Sequence, residues 1–176
     1  LKVPREEIRA DEAAMARFER EAKTIARINH PNIVSIFVVH LPKNPAETPF
    51  IVMEFIEGRE LEDYIFANRG RLNVGDLLDL AKQICAGLHT AHETQIVHRD
   101  IKPANIMIAT ATGTVKIMDF GIARVSSLAD TATSTMVVGT PAFMSPEQVR
   151  GEKPTPQSDI YALGAVLYVL FAQRPL

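Results

Sequence analysis

The sequence has a single cysteine and no tryptophan. With Cys85 alone, no disulfide framework can form within the chain, and a reducing compartment fits. Cys85 falls in an apolar helical pattern, which predicts a buried small hydrophobe. Long apolar runs are missing: the longest, 160–172, has 13 residues. That is too short to cross a bilayer and reads as a core helix. No signal-peptide pattern opens the chain. An excess of one charge sign is missing as well. A net charge of −2 without a basic stripe argues against a nucleic-acid-binding surface. Repeats and low-complexity blocks do not occur.

What is present is ordinary globular material: 176 residues, 47% hydrophobic and 23% charged. A chain of this size hides roughly two-thirds of its unfolded surface. The chain starts mid-pattern at Leu1-Lys2-Val3, the expected tail of a strand, and stops straight after a buried-type helix. Both ends read as those of a segment from a longer protein. Met15, Phe18, Ala22 and Ile25 keep helical spacing and predict a helix over 11–28. Glu19 and Lys23 are spaced to pair on its outer side, and Glu21 borders the buried face. Strands are expected over 32–39 and 50–55, with a loop over 41–49 between them. A short helical turn follows over 61–66, then a long helix over 75–93 with Leu77, Ala81, Ile84, Leu88 and Ala91 inward. His89 and His92 on that helix have no set of metal-ligand partners and read as structural or exposed. The runs 106–108 and 115–118 predict a hairpin. The stretch 126–138 is small and polar and predicts an exposed loop. Asp159 is expected to open the apolar helix over 160–172, with Ser158 or Asp159 as its N-cap. Strands and one helix precede residue 57, mainly helices follow, and a cleft between two such parts suits a ligand.

The chemistry concentrates in His98-Arg99-Asp100-Ile101-Lys102-Pro103-Ala104-Asn105. A carboxylate, an ammonium and an amide within six residues can meet a hydroxyl, a phosphate and a metal. Fourteen residues beyond Asn105, Asp119-Phe120-Gly121 places a second carboxylate before a glycine. That suits a hard cation, since Mg²⁺ takes few protein carboxylates alongside substrate phosphates.

The two strings match the catalytic loop H-R-D-x-x-x-x-N and the D-F-G motif of protein kinases. The chain resembles the eukaryotic-type serine/threonine kinases of bacteria over nearly its whole length. Arg17-Phe18-Glu19-Arg20-Glu21-Ala22, His30-Pro31-Asn32-Ile33-Val34 and Ser145-Pro146-Glu147-Gln148 carry the likeness further. The resemblance implies an α+β, two-lobed kinase-like fold truncated at both ends, with a partial N-lobe and hinge over 1–56 and a partial C-lobe over 57–176. It implies transfer of the γ-phosphoryl group of ATP to Ser/Thr hydroxyls of protein substrates, with Mg²⁺. Asp100 would orient the attacking hydroxyl and accept its proton. Lys102 would neutralise the transferred group, in the manner of the serine/threonine branch. Asn105 and Asp119 would hold Mg²⁺. Lys2 would grip the α- and β-phosphates, with Glu21 as its helix partner. Met53 would line the back of the adenine pocket, and the backbone of Glu54 and Ile56 would bond the base. Asp159 would bond the catalytic-loop backbone.

The resemblance also implies an activation segment over 119–147. Thr140 would lie near Asp100, Ser145-Pro146-Glu147 would stand in for A-P-E, and Thr131, Thr133, Ser134 and Thr135 would be phosphate acceptors able to pair with Arg99. A cytoplasmic location is implied, with any membrane attachment outside this segment. No G-x-G-x-x-G loop occurs; the family's lies just upstream of the strand lysine, here residue 2. The isolated chain is therefore expected to be weakly active or inactive and to expose apolar surface. Two alternatives are a pseudokinase that only binds and a small-molecule phosphotransferase. The first is opposed by competent residues at every catalytic position, the second by the activation segment.

Overall fold

The computed structural model describes residues 1–4, 6–42, 44, 47–120 and 141–174. The first part holds two helices and a two-stranded sheet. Helix α1 is a single turn, Glu6–Arg9. Helix α2, Glu12–Ile25, starts at Asp11, whose carboxylate accepts from the N–H groups of Ala13 and Ala14. That side chain satisfies donors the helix itself leaves open. The face predicted from spacing is the one that packs: Ala14, Phe18, Ala22 and Ile25 are buried, with Met15 at the edge. Strand β1, Ile36–His40, pairs antiparallel with β2, Phe50–Met53. Lys2 extends this sheet by one bridge. Its N–H donates to the Ile51 carbonyl at 2.9 Å, and the Ile51 N–H donates to the Lys2 carbonyl at 2.8 Å.

The second part is mainly helical around a small antiparallel sheet. Strands β3 (Gly58–Glu60), β4 (Ile106–Ala109) and β5 (Val115–Ile117) lie in that order. The backbone of Gly58 approaches β4 so closely that an added Cβ would lie 2.3 Å from the Ile108 carbonyl oxygen. Helix α3 is Leu61–Ala67 and α4 is Val74–Glu93, the latter opened by a reciprocal Asn73–Asp76 capping box. Helices α5 (Pro146–Val149) and α6 (Pro156–Ala172) close the described chain.

Side chains from both parts join one apolar core, in which Phe18, Ile33, Ile84, Leu88 and Ile117 are fully buried. A polar clasp reinforces it. Asn32 Nδ2 donates to Gln83 Oε1 and to the Val115 carbonyl, both at 3.0 Å, and Gln83 Oε1 also accepts from the Val115 N–H. Gly87 lets α4 come this near: a Cβ there would meet Ile117 Cδ1 at 2.8 Å and the Asn32 carbonyl at 3.0 Å.

The α+β class is as expected, but several local expectations change. Cys85 is exposed, not buried; it follows the inward Ile84 and is turned about 100° from it. The first strand begins at Ile36, four residues later than predicted, because Ile33 bridges to Ile117 instead. Helix α6 begins at Pro156 with Thr155 as N-cap, so Asp159 lies inside the first turn. Proline at the first helical position costs no internal hydrogen bond, which is why the helix starts there. Helix α1 and strand β3 were not anticipated; four and three residues are too few to show a period.

Candidate active site

The loop 98–105 is held from beneath by one buried carboxylate. Asp159 is 1% exposed, and its Oδ2 accepts from the His98 N–H at 2.7 Å while Oδ1 accepts from the Arg99 N–H at 2.8 Å. His92, from the last turn of α4, bonds the same Oδ2 through Nε2 at 2.8 Å. A buried charge needs such partners, because unpaired it would cost several kcal/mol. Gln148 of α5 adds a fourth hold, donating to the Arg99 carbonyl at 2.9 Å. These contacts keep Arg99 at φ 69°, a left-handed backbone that costs a non-glycine residue on the order of 1–3 kcal/mol.

His98 is fully buried and ties this loop to the approach of Asp119. Its Nε2 faces the Met118 carbonyl at 2.7 Å, and its Nδ1 faces the Asp100 N–H at 3.2 Å. An acceptor opposite one nitrogen and a donor opposite the other select the neutral ring protonated on Nε2. Burial pushes its pKa below the ordinary 6.5, outweighing the opposite pull of Asp159, the Met118 carbonyl, Asp100 and Asp119. The ring also packs on Phe120, centroids 4.6 Å apart.

Above this base the expected catalytic residues converge. Asn105 Nδ2 donates to the Asp100 carbonyl at 2.7 Å and to Asp100 Oδ2 at 3.0 Å. Lys102 Nζ lies 3.1 Å from the same Oδ2. A 3₁₀ turn over Pro103–Asn105 makes this possible, bending the chain so that Asn105 folds back over Asp100. The Met118 N–H then bonds the Asn105 carbonyl at 2.8 Å, which places Asp119 beside the same loop. Asp119 adopts φ 54°, a region aspartate tolerates better than most residues.

The chemistry of the donors fits a hard cation. Among the described residues both hydrogen bonds of the Asn105 amide use its nitrogen, and Asp119 uses Oδ1. Among the described residues Asn105 Oδ1 and Asp119 Oδ2 take no hydrogen bond. An amide oxygen and a carboxylate oxygen, with phosphate to complete the shell, are the kind of set Mg²⁺ uses.

Lys2 and Glu21 require a correction. They do not pair with each other. Lys2 Nζ lies 2.8 Å from Asp119 Oδ1, and Glu21 Oε1 lies 2.9 Å from Arg99 Nη1. Each charge has taken the nearest opposite partner in this position of α2. Glu21 instead lines a cavity of about 220 Å³ with Arg20, Thr24, Gln95, Arg99 and Phe120.

At the expected base-holding segment, Met53 ends β2 and is partly buried, and Ile56 is 9% exposed. The Glu54 N–H is already engaged with the Ser35 carbonyl at 2.8 Å, so only the Glu54 carbonyl remains for a base. Among the described residues nothing accepts from the Ile56 N–H. Ser145 and Glu147 anchor α5; Ser158 donates to Glu147 and holds its carboxyl below the ordinary range. The residues Gly121, Thr131, Thr133, Ser134, Thr135 and Thr140 lie outside the described residues. His92, read in the sequence as structural or exposed, is structural, but its partner could not be named. Its position six residues before His98 gives no hint of Asp159, which is 67 residues away.

Comparisons with known proteins bear on the family and the fold. The chain is 40% identical over 177 residues to the serine/threonine-protein kinase PknB of Mycobacterium leprae, covering 99% of this chain and 28% of that protein. It is 40% identical over 180 residues to PknB of Mycolicibacterium smegmatis, with the same coverage. The chain thus spans under a third of the length of these relatives. The crystal structure of the Mycobacterium tuberculosis PknI kinase domain superposes with a TM-score of 0.75 at 27% identity, covering 99% of this chain and 63% of that one. The two-lobed kinase class expected from the sequence is therefore the observed one, in part. The family model described as protein kinase domain matches residues 2–176, and the chain belongs to that family.

Proposed function

We propose that this chain supplies the catalytic centre for transfer of the γ-phosphoryl group of ATP, with Mg²⁺, to serine or threonine hydroxyls of protein substrates. The convergence of Asn105 and Lys102 on Asp100 Oδ2, within 3.1 Å, carries this reading. The names of the curated relatives support the serine/threonine acceptor.

Asp100 orients the acceptor hydroxyl and takes its proton. Asn105 fixes the Asp100 carboxylate at a single angle, and Lys102 meets the charge that develops on the transferred group. Bound Mg²⁺, held by Asn105 and Asp119, would neutralise phosphate charge. In this chemistry the protein mainly positions groups and stabilises charge. The Glu54 carbonyl and the Ile56 N–H hold the base, with Met53 behind it. Residues 1–56 and 57–176 act as the two sides of the nucleotide cleft, in the cytoplasm.

The observed ion pairs describe a resting arrangement. Lys2 and Glu21 come together only after Arg99 releases Glu21. Phosphate on Thr131, Thr133, Ser134 or Thr135 offers Arg99 a replacement anion carrying roughly −1.5 to −2 charge. Mass spectrometry of the active full-length protein should find phosphate on at least one of these four; none there would remove this mode of control. Asp100→Asn should lower transfer by ~10²–10⁴-fold in the full-length protein. Equal rates for the two proteins would sink the mechanism.

A further inference from the structure

One ion pair near the cleft has no task in the chemistry above. Glu54 Oε2 lies 2.8 Å from Lys116 Nζ and accepts the Ser35 N–H at 3.1 Å. The Glu54 N–H donates back to the Ser35 carbonyl. Glu54 is thus clamped to the start of β1 by two hydrogen bonds and to β5 by an ion pair. Neither charged group is loosely placed: the side chains are 14% exposed for Lys116 and 27% for Glu54. Burial pushes the Glu54 carboxyl up, but the Lys116 and Ser35 bonds outweigh it and hold the group below its ordinary 4.5. The Glu54 carboxyl is therefore ionised at neutral pH.

The position of Lys116 in β5 gives the pair its meaning. Val115 and Ile117 on either side are fully buried in the core, so the strand cannot shift. A lysine on the opposite face has room to extend its head into water. This one turns instead to the segment that follows β2. Three residues further along the chain, just past the end of β5 at Ile117, lies Asp119. The pair therefore links the backbone proposed to hold the base with the strand that leads, two residues past its end, to the carboxylate proposed to hold the metal.

We infer that the Glu54–Lys116 pair positions the nucleotide by fixing the spacing between its base-holding and phosphate-holding ends. This rests on the reading of residues 53–56 as the base-holding segment. Lys116 is a positioning residue and touches neither substrate.

The test is steady-state kinetics of the full-length protein with ATP and Mg²⁺ varied, together with direct ATP binding and thermal melting. Lys116→Met should raise KM and the dissociation constant for ATP roughly fivefold, with kcat within about twofold. Lys116→Arg should keep both near the wild-type values, because the charge and donor remain. Lys116→Glu should be worse than Lys116→Met, and adding Glu54→Lys to it should recover most of the loss. An unchanged KM in Lys116→Met, an equal fall in kcat, or no recovery in the exchanged pair would overturn the inference. Loss of cooperative melting in both Lys116→Met and Lys116→Arg would assign the lysine to folding and also overturn it. If the wild-type protein itself shows no saturable ATP binding, the nucleotide reading fails first; if it binds and Lys116→Met binds equally, only the present inference fails.

Discussion

The catalytic loop and the Lys2–Glu21 pair are both expected from the same family resemblance, yet the structure treats them differently. The loop 98–105 is assembled: Asp100, Lys102 and Asn105 meet, and buried Asp159 holds the backbone of His98 and Arg99. Lys2 and Glu21 are present but each is paired elsewhere, to Asp119 and Arg99. The difference follows from what fixes each set. The loop residues lie within a few positions of one another and rest on groups that cannot leave the interior. The second pair depends on where α2 sits against the loop, and its partners are part-exposed ions at 21–44% side-chain exposure. Part-exposed pairs that solvent still reaches hold on the order of 1 kcal/mol each, so they can be exchanged without unfolding anything.

The largest effect should come from the support under the loop. Asp159→Ala removes the acceptor for two backbone N–H groups and for His92. The His98 N–H is left buried without a partner. Stability should fall by about 3–5 kcal/mol, as when one member of a buried charged network is removed. Denaturant unfolding measures this directly. A loss under 1 kcal/mol would show that the loop is held by something other than Asp159, and would erase the contrast drawn above.

The next effect concerns His98. Its folded pKa lies below 6.5 because burial disfavours the charged ring. The unfolded chain therefore binds the proton first as pH falls, and stability rises with pH in that window. The contribution is fully present above about pH 6.5 and is lost as pH drops toward the folded value. One proton limits the slope to ~1.4 kcal/mol per pH unit. Unfolding curves of wild type and His98→Asn across pH 5–8 should converge toward the acid end. Parallel curves would mean that His98 does not titrate differently on folding, and that the loop's buried base is less dry than its geometry indicates.

This contrast also explains what could be read from the sequence. Helix α2 was legible because Phe18, Ala22 and Ile25 recur at helical spacing and that face does pack. Asp100, Lys102 and Asn105 were legible because a 3₁₀ turn brings together what the chain already keeps close. The Lys2–Asp119 contact spans 117 positions, and nothing local encodes it. The same holds for His92 on Asp159 and Lys116 on Glu54, at 67 and 62 positions. The start of α6 was misplaced for the opposite reason: Ser158 or Asp159 was read as its N-cap, when the Asp159 carboxylate is committed to the loop backbone, as the resemblance implied, and Thr155 caps the start of the helix instead.

The smallest expected effect on stability tests the exchangeable side of the comparison. Lys2→Met, Glu21→Gln and the double variant form a thermodynamic cycle. In the arrangement observed, Lys2 and Glu21 have different partners, so their coupling in unfolding free energy should be below ~0.5 kcal/mol, as for sites that share no contact. In the rate of phosphoryl transfer by the full-length protein the same two substitutions should be far from additive, because groups that act as one unit lose their whole contribution with the first removal. Additive rate losses with no coupling in stability would mean the two never meet, and Glu21 would then serve only to hold Arg99. Strong coupling in stability would mean the pair already exists at rest, and the partners seen here would be the minority state. Only weak coupling in folding combined with strong coupling in rate matches a loop built in advance and a charge pair completed on demand.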